Sequence, residues 1–146
     1  MENKRYAYVL VSDEKYWNRL CSRNQKSKGI SAFVRKNQVA PKQANQLLFY
    51  VKKPVTQIRG TADFIERSVD NYKVQWKKFG KETCFENFDE YAKFVEGREK
   101  VTIIRFKNLM ELPNPQPKEV TFNILGSMQW FRGKYVSLET AKQLTT

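Results

Sequence analysis

The 146 residues contain no histidine and only two cysteines, Cys21 and Cys84. The usual ligands of a structural or catalytic zinc are therefore missing. The same absence removes Ser-His-Asp and Cys-His catalysis. No metal and no cofactor is expected. Glycine is scarce, at 6 residues, and nowhere falls into a phosphate-cradling loop of the Walker or dinucleotide type. No run of about 18 apolar residues is present to span a bilayer, and the opening MENKRYAYVLVSDEK lacks the long apolar core of a secretory signal. A cytoplasmic protein with no membrane partner is the expectation. In a reducing compartment its two cysteines stay free thiols. What survives is acid-base work by Lys, Tyr and carboxylates, for which residue types alone are almost no evidence.

Negative charge is also missing where it matters. From Lys15 to Ala62 there is no Asp or Glu, although the chain holds 15 acidic residues. The same run carries Lys15, Arg19, Arg23, Lys26, Lys28, Arg35, Lys36, Lys42, Lys52, Lys53 and Arg59. A field of one sign attracts polyanions. A solvated, lysine-rich face is the plain alternative, but Tyr16, Trp17, Phe33, Phe49 and Tyr50 are interleaved with these charges. Cations follow phosphates while aromatic faces stack on bases. Tyr16, Arg35, Lys36, Lys52, Lys53 and Arg59 are accordingly candidate nucleic-acid contacts.

The rest of the composition describes a folded protein. Hydrophobic residues make up 40% of the chain and aromatics 14%, enough for a packed core despite a net charge of +12. One domain over residues 1–146, monomeric, is expected. Tyr6–Val11 and Gln46–Val51 are continuous β-forming runs and predict buried strands. Between them, Ser12 or Asp13 caps a helix with Trp17, Leu20 and Cys21 on its apolar stripe, and Ile30–Lys36 reads as a strand. Thr56–Ile65 resumes an extended pattern after Pro54. Gly60 within it marks a bulge or the close approach of another backbone.

Past Ala62 helical periodicity takes over. Val69, Tyr72, Trp76 and Phe79 predict an amphipathic helix capped at Asp70 and stopped at Gly80. Asn87 and Glu90 have the spacing of a capping box for a second helix, with Tyr91, Phe94 and Val95 as its stripe. Val101–Phe106 and Val120–Leu125 read as strands on either side of an extended PNPQP connection. A strand stub at Tyr135-Val136 and a helix capped by Ser137 close the chain. The class expected is α+β, a curved mixed sheet tending to a barrel and flanked by short helices.

Trp17 and Trp76 fall on helix stripes and belong to the core. Trp130 differs, because it sits beside Phe131 and Arg132 in a glycine-bounded loop, Gly126 to Gly133, with Ser127 and Gln129 near in sequence. Aromatic, amide and guanidinium groups together suit stacking on a base and bonding its edge. Plugging an end of the barrel is the other reading of Trp130, and residue types leave both open.

YAYVLVSDEKYWNRL, QLLFYVKK followed by IRGTADF, KKFGKETCFENFDEYAKF and MQWFRGKYVSLETAKQL together resemble the PUA-like superfamily, which includes the PUA, ASCH, EVE and YTH domains. An uncharacterised archaeal group of stand-alone members is the nearest in pattern. The resemblance implies a PUA-like pseudo-barrel. It also implies binding of RNA or of a modified base, with RNA favoured over DNA as partner. Some ASCH proteins resemble small amidohydrolases that use a Lys, a Thr and a Glu on a nucleoside, and no matching triad stands out. An adaptor for an acidic protein is a third class, which leaves the Trp130 loop unexplained.

Overall fold

The computed structural model describes residues 6–26, 29–36, 41–128 and 133–146. Its elements run β1 (Tyr6–Ser12), α1 (Glu14–Lys26), β2 (Ser31–Arg35), β3 (Gln46–Val51), β4 (Gln57–Asn71), α2 (Tyr72–Phe79), α3 (Phe88–Val95), β5 (Lys100–Glu111), α4 (Lys118–Leu125), β6 (Lys134–Ser137) and α5 (Leu138–Thr145). A 3₁₀ turn, Gly80–Glu82, follows α2. The six strands form one mixed sheet in the order β2-β5-β4-β3-β1-β6, in which β1 and β3 are parallel and the other pairs antiparallel.

The two continuous apolar runs are β1 and β3, and their position explains their composition. Tyr8, Leu10, Leu47, Phe49 and Val51 face one core, which α1 covers with Trp17 and Leu20. Ala7, Val9, Val11, Leu48 and Tyr50 face a second core, built with Leu125 of α4 and Ala141 and Leu144 of α5. Strands buried on both faces lose the apolar-polar alternation of a half-exposed sheet. A third core joins Ala32 and Val34 of β2 and Val101 and Ile103 of β5 to Phe85, Tyr91 and Val95.

The sheet is strongly curled but not closed. β2 and β3 have two strands between them, which in a flat sheet means a separation of roughly 14 Å. Yet the Phe33 and Phe49 rings lie 6.1 Å apart. Farther round the curl, an Arg35 Nη1 N–H at the end of β2 donates to the Val11 carbonyl of β1 at 3.0 Å. The two strands converge without pairing, so the expected pseudo-barrel is an open one.

Gly60 carries both roles assigned to it. The β3–β4 register slips beside it, Phe49 facing Gly60 and Tyr50 facing Ile58. A Cβ there would also stand 2.7 Å from the Met110 carbonyl oxygen and run into the Trp17 ring. Two local expectations are corrected. Val69 and Asp70 belong to β4, and α2 is capped by Asn71, whose side chain accepts from the Lys73 N–H. Val120–Leu125 is helix, not strand. Thr121 and Leu125, four residues apart, are its buried face, the Thr121 hydroxyl donates to the Pro117 carbonyl, and Gly126 at φ 73° ends it. β-forming residue types yield here to a period of four and to a proline that opens the segment.

Candidate nucleotide cleft

Where β1 and β2 converge the curl leaves a cavity of about 170 Å³. Its lining comes from five places in the chain. Val11, Ser12 and Asp13 end β1, Tyr16 opens α1, Phe33 to Lys36 end β2, Lys52 lies in the β3–β4 turn and Phe94 projects from α3. Phe94 and Tyr16 meet edge to face at 5.2 Å, which gives the cleft an aromatic wall.

The cations stand against this wall in different states. Lys52 Nζ is 2.8 Å from Asp13 Oδ1. Lys36 Nζ lies 3.4 Å from Glu96 Oε2 and 5.2 Å above the Phe94 ring. Burial lowers the Arg35 pKa, an effect that Tyr8 and Asp13 oppose only in part. Burial, reinforced by the field of Cys84, raises that of Tyr16, so its phenol stays protonated at neutral pH.

Four residues singled out for charge and aromaticity, Tyr16, Arg35, Lys36 and Lys52, thus line one cavity. Lys53 is exposed next to them but outside the lining, before the cis Lys53-Pro54 bond. Arg59 lies on β4, away from the lining, with its Nε buried and without a hydrogen-bond partner among the described residues. Ser127 is exposed in the coil after α4. Gln129, Trp130 and Arg132 lie outside the described residues. Asp13 and Phe94 were legible in sequence only as a helix cap and as part of a helix stripe; no signal in the chain places them together.

Part of the basic run is used internally. Arg19 pairs with Glu90, and Arg23 donates to the Ser31 hydroxyl and the Lys81 carbonyl. Among the described residues no group of three or more Cys, Asp or Glu is arranged to hold a metal, and no helix is long and apolar enough to cross a membrane.

Crystal structures of an ASCH protein from Zymomonas mobilis superpose on this architecture. The parent protein matches at TM-score 0.76 and 18% identity, over 94% of this chain and 92% of that one. A variant of it with a serine replaced by alanine gives 0.72 at 17% identity, over 94% and 93%. Another, with a tyrosine replaced by phenylalanine, gives 0.73 at 15%, over 94% and 95%. The chain has the ASCH fold. The fold expected from the PUA-like resemblance is therefore the one observed. In sequence, no family model matches, and a search of curated proteins finds no match.

Within this ASCH fold the cleft has a small annex. A second cavity of about 20 Å³ shares Tyr16, Phe33, Val34 and Phe94 with the first and reaches Cys84, whose thiol burial pushes up to about 11. One water needs ~10–15 Å³, but also polar partners, which this apolar space scarcely offers. The annex extends the apolar wall inward.

Proposed function

We propose that the protein is a nucleic-acid-binding module, with RNA favoured over DNA, that seats one nucleotide in the cleft between β1 and β2. The observation that carries this reading is the convergence of Phe33, Phe94 and Tyr16 with Arg35, Lys36 and Lys52 around one cavity. Aromatic faces suit an unstacked base and cations suit its phosphates. The volume of about 170 Å³ is below the ~300–1,000 Å³ of drug-sized pockets, which matches a single base or nucleotide rather than a folded element. The loop holding Gln129, Trp130 and Arg132 stays in this reading on its residue types alone, an aromatic ring, an amide and a guanidinium that suit a base. A nucleoside amidohydrolase of the Lys-Thr-Glu type gains no support from the cavity, whose lining among the described residues includes neither Thr nor Glu.

Fluorescence anisotropy with single-stranded RNA, structured RNA, single-stranded DNA and duplex DNA tests the reading. Phe94→Leu keeps an apolar side chain but removes the stacking face, and Lys52→Ala removes a cation. Both are expected to weaken RNA binding while the protein melts near the parent temperature. Unchanged affinity in both variants would take the cleft out of the binding surface.

A further inference from the structure

We infer that the group held in the cleft is the terminal phosphate monoester of a nucleotide, so that the partner is a phosphorylated nucleic-acid end or a free mononucleotide. This rests on the cleft being a nucleotide site and adds which part of the nucleotide it grips. The lining sets three cations, Arg35, Lys36 and Lys52, against one carboxylate, Asp13, a surplus of two positive charges. Lys52 already holds Asp13, and Lys36 leans on Glu96, which lies outside the lining. Arg35 is the cation left over. It forms no ion pair among the described residues, and the undescribed segments contain a single acidic residue, Glu2.

One N–H of its guanidinium goes to the Val11 carbonyl at 3.0 Å. A guanidinium has five such donors in a planar fork that matches phosphate bidentately. Arg35 also lines the cavity, and among the described residues none of its nitrogens is buried without a partner. A partly desolvated cation that no ion pair among the described residues neutralises, and whose burial the field of Asp13 offsets only in part, is stabilised when an anion arrives, because its attraction to that anion is weakly screened. The Lys36–Glu96 pair is long at 3.4 Å and its carboxylate is 74% exposed, so it holds Lys36 only weakly. Lys36 can turn to the anion beside Arg35, and a surplus of two then selects the anion. An internal phosphodiester brings one negative charge, whereas a monoester brings about −1.5 to −2 at pH 7.

The test compares one RNA sequence carrying 5′-hydroxyl and 3′-hydroxyl ends with the same RNA phosphorylated at the 5′ end, and with it phosphorylated at the 3′ end. A nucleoside, its 5′-monophosphate, its 3′-monophosphate and inorganic phosphate serve as competitors. One phosphorylated end is expected to bind at least about tenfold more tightly, the worth of a charge-assisted hydrogen bond, and the matching monophosphate to compete where the nucleoside does not. Competition by the monophosphates without a preference for either RNA end assigns the site to free mononucleotides. In Arg35→Lys the tenfold preference should shrink while binding of the hydroxyl-ended RNA persists, because lysine keeps the charge and loses the fork. Equal affinity for all three RNAs, with no competition by either monophosphate, overturns the inference and leaves the nucleotide reading of the cleft standing. No binding of any RNA or nucleotide overturns both.

Discussion

Arg19 on α1 grips Glu90 on α3 with both ends of its fork, Nη1 to Oε1 at 2.7 Å and Nη2 to Oε2 at 2.8 Å, across 71 residues of sequence. The same Glu90 joins its own helix terminus. Its N–H donates to the Asn87 side chain, and its carboxylate accepts from the Glu86 N–H at 3.1 Å. Half of the expected capping box is therefore in place, while its reciprocal half reaches Glu86 instead of Asn87. The pair ties α1, which opens on the cleft with Tyr16, to α3, which supplies Phe94.

A pH dependence follows. The hydrogen bonds from Arg19 hold the Glu90 carboxyl below its ordinary value of 4.5, outweighing partial burial, with help from the Glu86 N–H. A carboxyl with a depressed folded-state pKa contributes stability that is fully present above the unfolded value and lost as pH falls through the folded one. Glu90→Gln should therefore destabilise the protein at pH 7, and the gap between variant and parent should narrow below about pH 4.5. With both side chains about 30% exposed, an Arg19–Glu90 double-mutant cycle should return about 1 kcal/mol. Urea unfolding at pH 7 and pH 3 measures it, and a gap that is constant across that range would contradict the assignment.

Gly60→Ala is expected to be costly for a side chain of one carbon. The Met110 carbonyl is backbone of the paired strand β5 and cannot swing aside, and Trp17 is packed against Phe49 at 5.2 Å. Overpacking of this kind costs about 1–3 kcal/mol. Thermal melting should show the loss. Trp17→Leu should cost less in the Gly60→Ala background than in the parent, since it removes the indole half of the clash while the Met110 carbonyl half remains.

These two sites show what was legible in the chain. β1, α1 and β3 were readable because strands buried on both faces are continuously apolar, and because Trp17, Leu20 and Cys21 keep a helical period. Gly60 was readable because glycine inside a strand has few other reasons to be there. Val120–Leu125 was not, since Val, Thr, Phe and Ile favour strands and only the packing of Thr121 and Leu125 decides for a helix. For the cleft, charge and aromatic interleaving singled out Tyr16, Arg35, Lys36 and Lys52, and Phe33 stood among the interleaved aromatics. Asp13 and Phe94 escaped, because a curl that joins β1 to β2 and brings α3 over both leaves no trace in sequence spacing. The basic run also overstated the free field, as acids from outside it, Glu90, Glu96 and Asp13, return to pair with Arg19, Lys36 and Lys52.

The lysines of the β3–β4 turn should separate in their effects. Each phosphate contact adds about −0.7 for a single strand, or −0.9 for a duplex, to the slope of log affinity against log salt. Replacing Lys52 and Lys53 together by Ala should flatten that slope. Lys52→Ala alone should weaken binding more than Lys53→Ala, because it removes a lining cation and also leaves the Asp13 carboxylate, now without that partner at 2.8 Å, facing the ligand. Asp13→Asn in the Lys52→Ala background should return part of the affinity. A parent slope in the Lys52, Lys53 double variant would move the phosphate contacts elsewhere.

Trp130 carries the last prediction, with Arg132, Gln129 and Ser127 as its proposed companions around a base. The segment they occupy follows α4, whose C-terminus is closed by Gly126, and precedes Gly133, where a Cβ would meet the Tyr8 ring of β1. Stacking and plugging make opposite demands on this tryptophan. If it stacks on a base, Trp130→Ala should cost about 1–3 kcal/mol of binding with little change in melting. If it fills a core, the same change should cost about 3–5 kcal/mol of stability instead. Arg132→Lys sharpens the comparison, because lysine retains the charge and loses the planar fork that stacks and bonds in pairs. Under the stacking reading, Arg132→Lys should weaken discrimination between bases more than it flattens the salt dependence. A Trp130→Ala protein that melts early, yet while folded binds every tested nucleic acid as the parent does, would assign binding to the cleft between β1 and β2 alone.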